Sequence, residues 1–173
     1  YIFKQGSTMK ITQLVESKTE IVYRGLNQEF DSTHHAKSNI IFCTPSLELA
    51  QAYSDNQDHV YKFEVRLDHG FNFGFRTLST EVQWKDITGR LQRGIMTAYT
   101  DGLVDKQTAH DYFDAIYELN FSGFRKVWMW YMDSPVICDI LRGVGYDHIV
   151  GLEGIDNSTI AYGVLYPDRL IKI

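Results

Sequence analysis

Between residues 60 and 67 the chain reads Val-Tyr-Lys-Phe-Glu-Val-Arg-Leu. Tyr61, Phe63, Val65 and Leu67 alternate there with Val60, Lys62, Glu64 and Arg66. A period of two sends alternate side chains to opposite faces of a strand. One face of this strand must therefore be covered by other elements. A purely helical fold is excluded at once.

The rest of the chain supplies both strands and helices. Residues 19–23 are rich in β-branched side chains and predict a strand. Residues 26–39, with the His34-His35 pair, predict a polar loop. Ile40, Ile41 and Phe42 predict a buried strand. Thr44 is expected to cap a helix whose first residue is Pro45, where a missing N–H costs nothing. Leu49, Ala50 and Tyr53 would share one face of that helix. Before the first strand, Ser7 or Thr8 could cap a helix carrying Ile11, Leu14 and Val15. Residues 54–58 predict a polar turn.

Residues 70–100 are less regular. Phe71, Phe73 and Phe75 alternate with Gly70, Asn72 and Gly74, and the glycines weaken a strand there. Residues 101–118 predict the best helix, with Ala109, Tyr112, Phe113, Ile116 and Tyr117 at helical spacing. An aromatic block at 127–132 precedes Ser134-Pro135, which starts another helix that Gly143 is expected to stop. Two strands follow, 146–152 and 159–165, joined by a turn over 153–158. Residues 170–173 predict a last short strand. Strands first and last with helices between predict an α+β fold. The expected organisation is a single domain over residues 1–173, with a helical, aromatic-rich insertion at about 76–142.

The length of 173 residues is enough for a core without staples. Cys43 and Cys138 lie far apart, form no metal-ligand pattern and suit a reducing compartment. The net charge of −5 excludes a global attraction to nucleic acid or anionic membrane. No apolar run reaches membrane-spanning length, and the first residues carry no signal-peptide pattern. The histidines, at 34, 35, 59, 69, 110 and 148, have no ligand spacing, so no metal is expected. Phosphate-loop and dinucleotide fingerprints are absent.

Three short blocks could carry chemistry. In Tyr23-Arg24-Gly25, a guanidinium at a strand end can grip a phosphate with two parallel hydrogen bonds. The glycine after it permits close approach of a ligand to the backbone. The plain alternative is a surface arginine before a turn. Thr44-Pro45-Ser46 reads as an ordinary helix start, or as hydroxyls facing the same cleft as Arg24. Tyr53 is either a core aromatic or a ring that stacks on a planar ligand. Glu153-Gly154-Ile155-Asp156 places two carboxyls near a turn. They serve turn geometry, or one of them faces a positive charge developing on a sugar.

The order of these blocks resembles the ADP-ribosyltransferase superfamily. The resemblance runs from about Tyr23 to Ile173 and is weakest over 70–135. It rests on Tyr-Arg-Gly, on Ile-Ile-Phe-Cys-Thr-Pro-Ser-Leu-Glu-Leu-Ala-Gln-Ala-Tyr, and on the Val-Tyr-x-Phe-Glu-Val-x-Leu strand. Gly-Tyr-Asp-x-Ile-Val and Tyr-Gly-Val-Leu-Tyr-Pro-Asp close it. The chain is most similar to compact phage and bacterial-effector members, including an anti-CRISPR transferase of phage. Such enzymes split NAD at the nicotinamide–ribose bond and pass ADP-ribose to a target. The resemblance implies a split, twisted sheet, NAD as the substrate cofactor, no metal, and a macromolecular acceptor. A host protein is the expected acceptor, with nucleic acid as the other candidate. It also implies action in a host cytoplasm, after secretion or from a phage gene.

By the same resemblance, Tyr23 and Arg24 would contact NAD, with Arg24 at its phosphates or ribose. Gly25 would hydrogen-bond the nicotinamide amide through its backbone. Thr44 and Ser46 would hold the first block and the ribose, and Tyr53 would stack on nicotinamide. The family's usual acid stands before the Tyr-x-Val of the late strand, and this chain has Ala161 there. The acid is then Glu153 by counting forward from Gly145-Tyr146, or Asp156 by counting back from Tyr162. If neither serves, the fold is a non-catalytic interaction domain using the aromatic segment 112–131. Transfer to water would make it an NAD glycohydrolase.

Overall fold

A computed structural model describes residues 18–32, 38–119, 126–127, 129, 132–153 and 159–173. The expected helix near Ser7, the His34-His35 pair, Trp128, Trp130 and Tyr131 of the aromatic block, and Asp156 lie outside the described residues. The architecture is α+β, as the mixed order of patterns predicts.

Three strands form one sheet, in the order β1 (Lys18–Gly25), β3 (Val60–Leu67), β9 (Ile171–Lys172). β1 and β3 run antiparallel over their full length, with Arg24 opposite Tyr61 and Gly25 opposite Val60. Four strands form a second sheet, in the order β2 (Ile41–Cys43), β8 (Thr159–Val164), β7 (His148–Glu153), β4 (Gly70–Asn72). β7 and β8 make the expected hairpin, and the strand extends to Glu153, which pairs with Thr159. β4 joins the far side parallel to β7 despite its glycine. A short antiparallel pair, β5 (Thr77–Leu78) with β6 (Lys126–Val127), stands apart.

The second sheet separates two cores. Among its strand residues, Phe71, Ile149 and Ala161 belong to a core shared with the helices, while Ile41, Tyr162 and Val164 belong to a core shared with the first sheet. Adjacent residues 161 and 162 enter different cores, as the alternation of a strand requires. In the first sheet Val22, Phe63, Val65 and Leu67 face the second core. The strongest sequence pattern of the chain is therefore the covered face of β3.

Among the described residues there are four α-helices: α1 (Leu47–Ala52), α2 (Glu81–Thr100), α3 (Lys106–Glu118) and α4 (Pro135–Gly143). Three expectations need correction. First, α1 is capped by Ser46, whose Oγ accepts from the Leu49 amide, and not by Thr44. Thr44 remains in bridge pairing with Tyr23, so the helix cannot begin until the chain has left the sheet. Second, the stretch expected to be helical holds the long helix α2 in the irregular residues 70–100, and residue 101 is its C-cap, not the start of a helix over 101–118. Its signals were present: Thr80 and Gln83 form a capping box, and Ile87, Leu91, Ile95 and Ala98 repeat at helical spacing on the buried side. The glycines at 89 and 94 hide the pattern. α3 therefore starts at Lys106, and Tyr117, expected on its apolar face, is 90 % exposed. Third, α4 does end at Gly143, as expected, but the left-handed turn that terminates it is made two residues later by Gly145, whose φ of 94° only glycine adopts without strain.

Candidate functional site

The two sheets meet at the end of β1. The Tyr23 amide donates to the Thr44 carbonyl at 2.7 Å and the Thr44 amide to the Tyr23 carbonyl at 2.9 Å. The Thr44 hydroxyl donates to the Ile160 carbonyl at 2.8 Å and accepts from the Ser46 amide. A buried threonine thus ties β1, β8 and the start of α1 together. Beside this knot opens a cleft of about 290 Å³. Its lining includes Tyr23, Arg24, Gly25, Thr44, Ala50, Tyr53, Glu153 and Ala161. Six of the eight named binding and catalytic positions, Tyr23, Arg24, Gly25, Thr44, Tyr53 and Glu153, are brought together. Ser46 does not line the cleft, because its hydroxyl is used in the helix cap. Asp156 lies outside the described residues.

Gly25 is required here by its own protein. A Cβ on it would stand 2.0 Å from the Ala50 carbonyl oxygen and 3.0 Å from the Ser54 amide nitrogen. The sequence pattern suggested close approach of a ligand, whereas the neighbour pressed against this glycine is α1. That contact sets the width of the cleft between β1 and α1.

Glu153 is 1 % exposed and ends β7. The Tyr53 hydroxyl donates to its Oε2 at 2.9 Å, and its Oε1 is buried without a hydrogen-bond partner among the described residues. A carboxylate oxygen left dry and unpaired costs stability unless something supplies a donor. Burial pushes the Tyr53 phenol up to about 12, the hydrogen bond and charge of Glu153 push the same way, and the charge of Arg76 opposes them. The phenol is therefore a donor at neutral pH. Its ring is about half exposed, with its hydroxyl turned to the carboxylate. This second use of Tyr53, as the group that holds Glu153, was not visible in the sequence.

Arg24 is half-buried, and loss of solvent lowers its pKa, an effect that Cys43 opposes. Cys43, though it lines the cleft, has its thiol pushed up to about 12 by burial, so it is not a ready nucleophile. Ala161 lies opposite Gly151 in the β7–β8 pairing and leaves room above the sheet. Glu153, two positions further along the neighbouring strand, is the carboxylate that enters this space.

The sequence reading missed Arg76. It lies between β4 and β5, close enough to Tyr53 to act on its hydroxyl. Only a strand order that sets β4 next to β7 brings it there. Among the described residues, no group of three or more His, Cys, Asp or Glu side chains could hold a metal. Among them also, no helix is long and apolar enough to cross a membrane.

No family model and no curated protein matches the chain. Among solved structures, an anti-CRISPR protein is similar at 11 % identity and a TM-score of 0.44, over 90 % of this chain and 96 % of that one. A likeness of that degree carries no argument about activity.

Proposed function

We propose that the chain is a mono-ADP-ribosyltransferase that cleaves NAD at the nicotinamide–ribose bond and passes ADP-ribose to a protein acceptor. The observation that supports this reading is a convergence. Tyr23-Arg24-Gly25, Tyr53 and Glu153, drawn from three elements far apart in sequence, line one cleft. A buried carboxylate with one unpartnered oxygen, held by a phenol, suits a sugar that gains positive charge.

In this reading the C1′–N bond breaks and its electron pair goes to the nicotinamide nitrogen, so nicotinamide leaves neutral. Positive charge grows on the ribose, where Glu153 faces it. Tyr53 fixes Glu153 and lays its ring beside the nicotinamide. Gly25 offers backbone groups to the amide, and Arg24 takes the phosphates or ribose. The acceptor supplies the nucleophile, which is why no catalytic serine or cysteine is required. Action on a host protein, as a phage product or bacterial effector in the host cytoplasm, extends the same proposal by resemblance.

The test is nicotinamide release from NAD, with and without host lysate, together with detection of ADP-ribose on protein. Release that depends on acceptor and labels protein supports transfer. Release without labelled protein makes the chain a glycohydrolase. Neither release nor NAD binding would overturn the reading.

A further inference from the structure

A second groove, of about 430 Å³, opens beside the start of β7, at the opposite end of that strand from Glu153. His69, Asn72, Arg90, Arg93, Thr97 and Tyr146 are among its lining, and it shares no lining residue with the cleft. Arg90, Arg93 and Thr97 stand at helical spacing on one face of α2. The other wall is the start of β4, which pairs with β7 from Gly70 and His148 onward. The lining holds two arginines and a histidine and no carboxylate, although the net charge of the chain is −5. Carboxylates bonded to lining residues are already used. Asp86 pairs with Arg90, and Asp147 accepts from the His69 amide, from His148 and from Arg169.

Arg90 is committed to its own protein, since its fork also donates to the carbonyls of Asn72 and Phe73. Arg93 is not. Its exposed guanidinium has no ion pair or hydrogen bond among the described residues, and the exposed side chains of Thr97 and Asn72 have none either. His69 is held in place. Its Nδ1 donates to the Gly145 carbonyl at 3.0 Å, and its ring lies 4.7 Å from that of Tyr146. Tyr146 in turn rests against α2 at Gly94, where a Cβ would stand 3.5 Å from the ring. A carbonyl can only accept, so Nδ1 carries a proton and Nε2 is the nitrogen left for a ligand. An unpaired guanidinium fork, a fixed imidazole and a hydroxyl are groups that bind phosphate oxygens. The groove is larger than a bare anion needs and falls within the range of small-molecule sites, roughly 300–1,000 Å³.

We propose that this groove binds a phosphorylated small molecule, with Arg93 as the main phosphate ligand and His69 and Thr97 beside it. The site is separate from the cleft and does not depend on the proposed function.

The test is titration of the ¹⁵N-labelled chain with ribose 5-phosphate, inorganic phosphate and ribose, followed by amide NMR signals. Gly70 and Gly94 report on the groove, and Gly25 reports on the cleft. Both phosphates should move Gly70 and Gly94 saturably, ribose 5-phosphate at lower concentration, and ribose should not. Arg93→Gln should weaken ribose 5-phosphate by roughly tenfold or more, the scale of one charged hydrogen bond. Arg93→Lys should recover part of the loss. Arg66→Gln, which removes an exposed arginine paired with Asp68 outside the groove, should change nothing. Melting curves check that each variant is folded. The absence of a saturable shift at Gly70 and Gly94 overturns the inference, as does a shift confined to Gly25. Unaltered binding by Arg93→Gln, or an equal loss in Arg66→Gln, overturns it too. Equal affinity for the two phosphates would leave a bare anion site and overturn the organic ligand.

Discussion

The hydroxyl of Tyr53 donates a 2.9 Å hydrogen bond to Oε2 of Glu153, a residue one hundred positions away. The phenol is pushed up to about 12, first by burial and then by the carboxylate, so it keeps its proton throughout the neutral range. This bond joins α1 to the end of β7 across the cleft. It makes the hydroxyl, as well as the ring, part of the site.

Tyr53→Phe should therefore separate the two roles. Phenylalanine keeps the ring face and loses the bond, leaving Oε2 of Glu153, like Oε1, without a hydrogen-bond partner among the described residues. Turnover is expected to fall about tenfold with little change in NAD binding. Tyr53→Ala should also weaken binding. Calorimetry and nicotinamide-release kinetics on both variants check this. Wild-type turnover in the Phe variant would limit Tyr53 to stacking.

Glu153→Gln keeps size and removes charge. Turnover should drop by roughly a hundredfold or more, the usual cost of losing a group that stabilises developing charge, while NAD still raises the melting temperature. Among the described residues Glu153 is the carboxylate that lines the cleft, and on that basis Asp156→Asn should be milder. The reverse ranking in nicotinamide release would transfer the role to Asp156.

Gly25→Ala tests packing. Its Cβ would collide with the Ala50 carbonyl, a backbone atom that cannot rotate away. Displacing α1 should cost about 1–3 kcal/mol, the range for overpacked positions. Urea unfolding measures it. An unchanged midpoint would mean that α1 shifts freely.

Acid should destabilise the fold through Asp147. Burial alone would raise its pKa, but hydrogen bonds from His148 and from the Asp68 and His69 amides outweigh that and hold it below the ordinary aspartate value. A folded-state value below the unfolded one means that the folded protein binds fewer protons. The stabilisation is then full above the unfolded value and is lost as pH falls through the folded value. Asp147→Asn should be less stable at neutral pH and flatter across the acid range. Denaturant midpoints at several pH values check both, and parallel wild-type and variant profiles would remove Asp147 from the account.

Local pattern alone marks β1, β2, β3, β9, the final antiparallel pair and the α+β class, and leaves β4, β5 and β6 unmarked. Period-two alternation, β-branched runs and turn residues act over a few positions and read the same in any context. They marked the covered face of β3 and placed Glu153 at the start of the turn between the last two long strands, where the structure extends the strand to include it. The family resemblance singled out Tyr23, Arg24, Gly25 and Tyr53. What local pattern could not carry was strand order. The sequence β2, β8, β7, β4 within one sheet joins segments far apart in the chain. Only that order sets Tyr53 against Glu153 and brings Arg76 near enough for its charge to act on the Tyr53 hydroxyl. Thr44 shows the same limit on a smaller scale: its type and its neighbour Pro45 predict a helix cap. The tertiary pairing with Tyr23 and the carbonyl of Ile160 claim it instead, and Ser46 takes the cap. Long-range hydrogen bonds and buried contacts outweigh local preference where the two compete.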